Sequence, residues 1–140
     1  MTNKQKELLI KDLCARLPYG VKCAIKNSEG YHHENVAKIG ETTIDKLKGF
    51  DGKYFNIHHD NPLDWDWYVS EVSIEDIKPY LFPLSSITEE QRKEYHELLL
   101  YNPINGLSID FYDWCNKNHL DGRGLIKKGL AIDASNLNIY

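Results

Sequence analysis

The sequence predicts an α+β fold. An N-terminal helix packs on a small antiparallel, barrel-like sheet, for which SH3-like barrels are the nearest analogy, and a C-terminal helical half follows. Three observations carry this. A capping box precedes an apolar stripe of helical spacing in residues 3–16. Five short β-rich segments, separated by turn chemistry, fill about fifty residues after it. Two further capped helical segments follow residue 87.

The elements follow in order. Thr2 and Gln5 occupy the N-cap and N3 positions of a capping box. Leu9, Ile10, Leu13, Cys14 and Leu17 then recur on one helical face until Pro18 and Gly20 stop the helix. Val21–Lys26 alternates as a first strand, and 27–30 is turn-forming. Val36–Ile39 reads as a second strand and Thr42–Leu47 as a third, β-branched at its start. Asp51-Gly52 is a hairpin signal joining that strand to Tyr54–His58. Residues 59–64 are a polar loop, and Trp67–Val72 is the fifth strand. Ser73–Ile77 looks like one helical turn, capped by Ser73 and closed by Pro79, a common ending in SH3-like barrels.

Residues 79–87 are expected to run extended. Thr88 and Gln91 form a second capping box, starting a helix with Tyr95, Leu98 and Leu99 inward that ends before Pro103. Ser108 caps a helix over 109–118 with Phe111, Trp114 and Cys115 as its apolar side. Gly122–Lys128 reads as a short helical segment closed by Gly129. The expected organisation is a single domain, 1–140. Residues 1–78 form the helix and sheet, and 79–140 form the helical half packed on them.

With 140 residues, the chain is long enough to bury a core without a disulfide or metal staple. No apolar run approaches the roughly 20 residues of a membrane span, so no membrane partner is expected. Charge is uneven. Residues 1–26 hold six Lys/Arg against two Asp/Glu, and residues 27–78 hold five against eleven. The acidic middle disfavours a nucleic-acid backbone, whose binding depends on basic residues displacing counterions. An alternative is weak nucleic-acid binding through Lys4, Lys6, Lys11 and Arg16 on the first helix, whose other reading is a solvated face. Cys14, Cys23 and Cys115 match no zinc or redox spacing. Their odd number, with no secretory leader at the N-terminus, fits free thiols in a cytoplasmic protein.

Several constellations could carry chemistry. Cys115 and His119 are four apart on the expected helix and so share a face, the minimum for a nucleophile and its base, with Asp121 to orient the imidazole. The competing reading puts Cys115 in the apolar stripe and His119 at a helix end that favours a cation. In the run His119-Leu120-Asp121-Gly122-Arg123, the three polar residues could form a partner site; alternatively, Asp121 caps the next turn and Arg123 pairs with a carboxylate. His32-His33 and His58-His59 with Asp60, Asp64 and Asp66 are of metal-ligating type. Neighbouring histidines on a strand point to opposite faces, however, so one of each pair at most could join a site. Trp65, Trp67 and Tyr68 end an acidic loop, in the manner of interface anchors. No phosphate-cradling or hydrolase motif occurs, and no cofactor is expected.

Three segments carry a resemblance. Asp12-Leu13-Cys14-Ala15-Arg16-Leu17-Pro18-Tyr19-Gly20-Val21 is similar to an N-terminal signature. The run from Ile77 to Glu89, IKPYLFPLSSITE, is similar to a central one, and Asn118 to Ile126 with Gly129-Leu130-Ala131 to a C-terminal one. Together they resemble a family of short uncharacterised proteins from anaerobic gut bacteria and their phages. Least similarity lies between residues 27 and 72. Family members usually carry an aliphatic residue at Cys115 and an aromatic one at Gly122. The resemblance implies an intracellular accessory protein of phage or mobile-element origin.

The functional expectation is therefore a non-enzymatic protein-interaction module with another protein as partner. Its contact residues would be Trp65, Trp67, Tyr68, His119, Asp121 and Arg123. The alternative is a small metal-dependent or Cys/His enzyme using His58, His59 and Asp60, or Cys115 and His119.

Overall fold

A computed structural model describes residues 1–28, 39–58, 69–101 and 109–140. It is a mixed α+β fold with an N-terminal helix, a six-stranded open sheet dominated by antiparallel pairing, and C-terminal helices.

Helix α1 spans Asn3–Arg16. Its capping box forms as the sequence predicts. The Gln5 amide N–H donates to the Thr2 hydroxyl (3.2 Å), and the Thr2 N–H donates to the Gln5 side chain (2.8 Å). Leu9 and Leu13 are fully buried, whereas Ile10, Cys14 and Leu17 lie at the margin of the same core. A 3-10 turn, Leu17–Tyr19, ends at Gly20, whose φ of 65° is the left-handed conformation that glycine adopts freely.

The strands are β1 (Lys22–Lys26), β2 (Thr42–Phe50), β3 (Phe55–His58), β4 (Val69–Val72), β5 (Ile77–Leu81) and β6 (Ile132–Asp133), in the order β4-β3-β2-β1-β5-β6. Strand β2 divides its pairing. Thr42–Lys46 pairs with β1, Leu47–Phe50 pairs with β3, and a register shift lies between Leu47 and Gly49. The expected hairpin at Asp51-Gly52 is present. The Asp51 carboxylate accepts from the N–H groups of Lys53 and Tyr54 at 2.8 Å each, and these bonds hold it below the usual carboxylate range.

The expected barrel does not close. Closure requires the two edge strands to pair, but the edges here are β4 and β6, and no ladder joins them among the described residues. The single turn before Pro79 is also different. It is a 3-10 turn, Ile74–Asp76, and Ser73 makes no side-chain cap. Pro79 does not end an element but sits within β5, opposite Cys23. A proline lacks an N–H to donate, which argues against a strand interior in sequence. Here β6 pairs only with Tyr80 and Leu81, so Pro79 stands before that ladder begins.

Helices α2 (Glu89–Tyr101) and α3 (Ile109–Lys117) pack on each other. The Thr88–Gln91 box forms reciprocally at 3.0 and 3.2 Å. Tyr95 and Leu98 of α2 meet Phe111, Trp114, Cys115 and Leu120, and the Trp114 indole donates to Glu94 at 2.8 Å. The C-terminal half is not wholly helical. Residues 122–129 are successive turns rather than a helix, and β6 returns to pair with β5 in parallel. Leu125, Leu130 and Ala131 join Leu9 and Leu13 of α1 and the inner residues of β1–β5 in one core.

Most of the second expected strand, Val36–Ile39, lies outside the described residues, and Ile39 itself is in a turn. The 59–64 loop and the start of the fifth strand also lie outside them. Among the described residues, no helix is long and apolar enough to cross a membrane.

Candidate functional site

The C-terminal end of α3 positions the first group of candidate residues. His119 takes a left-handed conformation with φ 55°, the only positive φ among the described non-glycine residues. Its N–H bonds the Asn116 carbonyl (3.3 Å), and the Leu120 N–H bonds the Cys115 carbonyl (2.8 Å). This is the Schellman closure of a helix, at the position where glycine is usual. The helix therefore stops before His119, so the expected continuation of the Cys115–His119 face does not occur.

Two backbone bonds hold this corner against the end of β5. The Phe82 N–H donates to the His119 carbonyl (2.9 Å), and the Asp121 N–H donates to the Phe82 carbonyl (2.8 Å). The His119 ring stacks on Tyr140, with centroids 3.9 Å apart and planes 15° apart. The Tyr140 hydroxyl donates to the Tyr80 carbonyl (2.9 Å) and accepts from the Lys22 N–H (3.1 Å). Burial and then the charge of Arg16, with Lys22 and Lys46 behind it, push the His119 pKa down to about 4. His119 is thus neutral near pH 7, and the expectation of a helix-terminal cation is corrected.

Cys115 is fully buried, and its thiol is pushed up to about 12 by that burial. A thiol so far from ionisation is a poor nucleophile. No hydrogen bond joins it to His119 among the described residues, and the Cys/His pair is not assembled for catalysis. A Cβ built on Gly122 would lie 2.9 Å from Cys115 Sγ. Gly122 and Cys115 are therefore in direct contact.

Asp121 and Arg123 are both engaged within the chain. The Asp121 carboxylate accepts from the Leu125 N–H (2.7 Å) and the Ile126 N–H (2.9 Å). Arg123 lies over the Tyr112 ring at 4.2 Å, with its Nε 3.2 Å from Asp12 Oδ1. Asp12 also takes both contacts of Arg16, from Nε at 2.6 Å and Nη2 at 3.2 Å. Arg16 Nη2 donates further to the Leu120 carbonyl (2.8 Å), while its Nη1 is buried without a partner. Asp12 and Arg16 are both wholly buried. Sequence spacing alone signals that pair, an acid four residues before a base on a helix. Its burial emerges only when the C-terminal segment is placed over it.

The basic helix face dissolves on inspection. Arg16 is buried against Asp12, and Lys6 pairs with Glu75 at 2.6 Å, leaving Lys4 and Lys11 as the exposed cations. The basic surface lies elsewhere. The inner face of the sheet packs on α1 through Cys23, Ile25, Leu47 and Ile77. Its outer face carries Lys22 opposite Lys46, Ala24 opposite Ile44, Lys26 opposite Thr42, and Lys78 opposite Ala24. Tyr80, Ile132, Ala134 and Ile139 cover the β5–β6 end of this face. Ile44 is left 53% exposed in the uncovered part. The alternation of Lys22 and Lys26 was a visible signal, but cross-strand register was needed to bring Lys46 and Lys78 beside them.

Trp65, Trp67 and Tyr68 lie outside the described residues, as do His32, His33, His59, Asp60, Asp64 and Asp66. His58 closes β3. Among the described residues, no group of three His, Cys, Asp or Glu side chains could hold a metal ion. Comparison with protein-family models, curated proteins and solved structures finds no match to this chain.

Proposed function

We propose that this chain is a non-enzymatic protein-interaction module whose contact surface includes the uncovered outer face of β1, β2 and β5. The observation that carries this is Ile44, more than half exposed at the centre of that face. An aliphatic side chain held open on a rigid strand suits a partner's apolar contact. Trp65, Trp67 and Tyr68 remain proposed anchors on the strength of their residue types. Asp121 and Arg123 serve this reading as the frame behind the surface rather than its contact groups, since their polar atoms are turned to the chain itself.

A finer reading of the fold fits the same role. The order β4-β3-β2-β1-β5, with one strand divided between two pairings and a 3-10 turn before β5, follows an SH3-like plan, extended here by β6. Such small sheets commonly serve as binding platforms, an analogy at the level of fold. We further propose a cytoplasmic setting and a phage-related origin. The former rests on three free cysteines, the latter on the motif resemblance of residues 12–21, 77–89 and 118–131.

The test is affinity capture from host lysate at low salt with the tagged chain and its Ile44→Asp variant, read by mass spectrometry. A stoichiometric protein captured by the native chain and lost by the folded variant is expected. A native chain that elutes without a protein partner overturns the reading.

A further inference from the structure

We propose that the outer face of β1, β2 and β5 docks an acidic protein segment bearing an aliphatic side chain. The inference rests on the interaction-module reading and names the chemistry of its partner.

The register assembles the face. Residues directly opposite across a sheet share a side of it, as do residues two apart along a strand. Lys22 and Lys26 of β1 therefore stand beside Lys46 of β2 and Lys78 of β5, with Ala24 and Ile44 between them. Lys48 follows along β2 and is also exposed. These lysines come from three strands, and folding alone brings them together.

Among the described residues, four of these lysines, Lys26, Lys46, Lys48 and Lys78, meet no carboxylate in an ion pair. Lys22 donates to the Ile139 carbonyl, a neutral acceptor. The nearest carboxylate in register, Asp45 between Ile44 and Lys46, falls on the other side of the strand and accepts from the Thr43 hydroxyl. Like charges directly opposite on a sheet are destabilising, and Lys22 and Lys46 are such a pair. The whole chain carries a net charge of −4, so this positive face is local rather than a property of the composition. Charge complementarity calls for an anionic partner.

The centre of the face decides between classes of anion. Ile44 is aliphatic and open, Ala24 beside it is buried under the β5–β6 cluster, and the cations are all lysines. Single-stranded nucleic acid is held by aromatic platforms on which bases stack, and the rings on this side are already taken: Tyr80 is buried, and Tyr140 stacks on His119 with Lys22 over it. An acidic peptide with one aliphatic side chain meets both features, the side chain on Ile44 and the carboxylates on the lysines.

The experiment is fluorescence anisotropy with a labelled peptide of Asp and Glu residues around one central Leu. The same peptide with Ala at its centre and an oligothymidylate of equal charge are the comparisons. The native chain should bind the Leu peptide at low salt, and binding should weaken as salt screens the lysines. Together, Lys26→Glu and Lys78→Glu should weaken it by at least about tenfold, or 1.4 kcal/mol. Ile44→Ala should weaken the Leu peptide more than the Ala peptide. Circular dichroism checks the fold of each variant, and Lys26→Gln with Lys78→Gln serves if charge reversal perturbs it. No binding at low salt, equal binding by the charge-reversed chain, or tighter binding of the oligothymidylate overturns the inference. Capture of the same stoichiometric lysate partner by native and charge-reversed chains also overturns it, while leaving the interaction-module reading standing.

Discussion

At the junction of α1 with the C-terminal segment, charge is buried and matched. Asp12 accepts from Arg16 at 2.6 and 3.2 Å, Arg123 approaches it to 3.2 Å, and Asp121 spends its carboxylate on two backbone N–H groups. On the outer face of β1, β2 and β5 the arrangement is reversed: lysines stand open to solvent and Lys22 faces Lys46 directly. The first region has folded its polar groups inward, where an unmatched charge is costly. The second has left its charges where water and a partner can reach them. The difference separates charge that holds the fold from charge available for binding, although both regions draw on ordinary Lys, Arg and Asp residues.

The largest expected effect comes from breaking the matched region. Asp12→Ala leaves the buried Arg16 guanidinium without its carboxylate. It should cost about 3–5 kcal/mol in urea unfolding. Replacing both partners by apolar residues, Asp12→Leu with Arg16→Met, should cost less than Asp12→Ala alone, because the wholly buried Arg16 charge is then no longer orphaned and only Arg123 loses its carboxylate. A loss below about 1 kcal/mol for Asp12→Ala would mean that the pair behaves like an exposed one, and the contrast between the two regions would fail.

Local signals made much of this fold legible. Thr2 and Gln5, then Thr88 and Gln91, mark helix starts because a cap is satisfied within four residues. Asp51-Gly52 marks its hairpin for the same local reason. What stayed hidden depends on partners far along the chain. Pro79 argues against a strand unless it is known that β1 alone pairs beside it, with β6 joining only from Tyr80 onward. β6 itself is two residues long and exists only because β5 offers an edge. His119 looks like a helical neighbour of Cys115 until the Schellman turn takes it off the helix. Of the candidate site, Asp121 as a cap and Arg123 beside a carboxylate were readable as alternatives, but the carboxylate, Asp12, lies more than a hundred residues away. The lysine face was out of reach, since alternation gives the side of a strand and only register gives its neighbours.

The next effect in size also belongs to the matched region. Asp121→Ala removes the acceptor of two N–H groups at once. A simple helix cap costs about 1 kcal/mol, whereas hydrogen bonds to a charged group contribute about 1.5–3 kcal/mol. A loss of about 2–3 kcal/mol is expected, and a loss near the lower value would reduce Asp121 to an ordinary cap.

Third in size is His119, which sits where the two regions meet and feels Arg16 from one and Lys22 and Lys46 from the other. Its pKa falls from 6.5 to about 4 on folding. The unfolded chain therefore takes up a proton first as pH falls. The contribution to stability is complete above about pH 6.5 and is lost as pH drops toward 4. His119→Asn, which tolerates the left-handed backbone, should flatten the pH dependence of unfolding in that window. An unchanged slope would show that His119 does not couple the regions.

The smallest effect is the sharpest test of the open region. Lys46→Glu turns a like-charged pair with Lys22 into an opposite-charged one. At low salt it should raise stability by about 0.2–1 kcal/mol, with the gain shrinking as salt screens the pair. Lys26, opposite Thr42, has no like charge directly across from it, so Lys26→Glu should gain less. The Lys46 change also removes one of the cations that hold His119 low, so the acid loss of stability should still begin near pH 6.5 but end at a higher pH and be smaller in total. A drop in stability with Lys46→Glu would mean that this lysine is already matched within the fold. The outer face would then follow the same rule as the Asp12 cluster, and its lysines would no longer be charge left free for a partner.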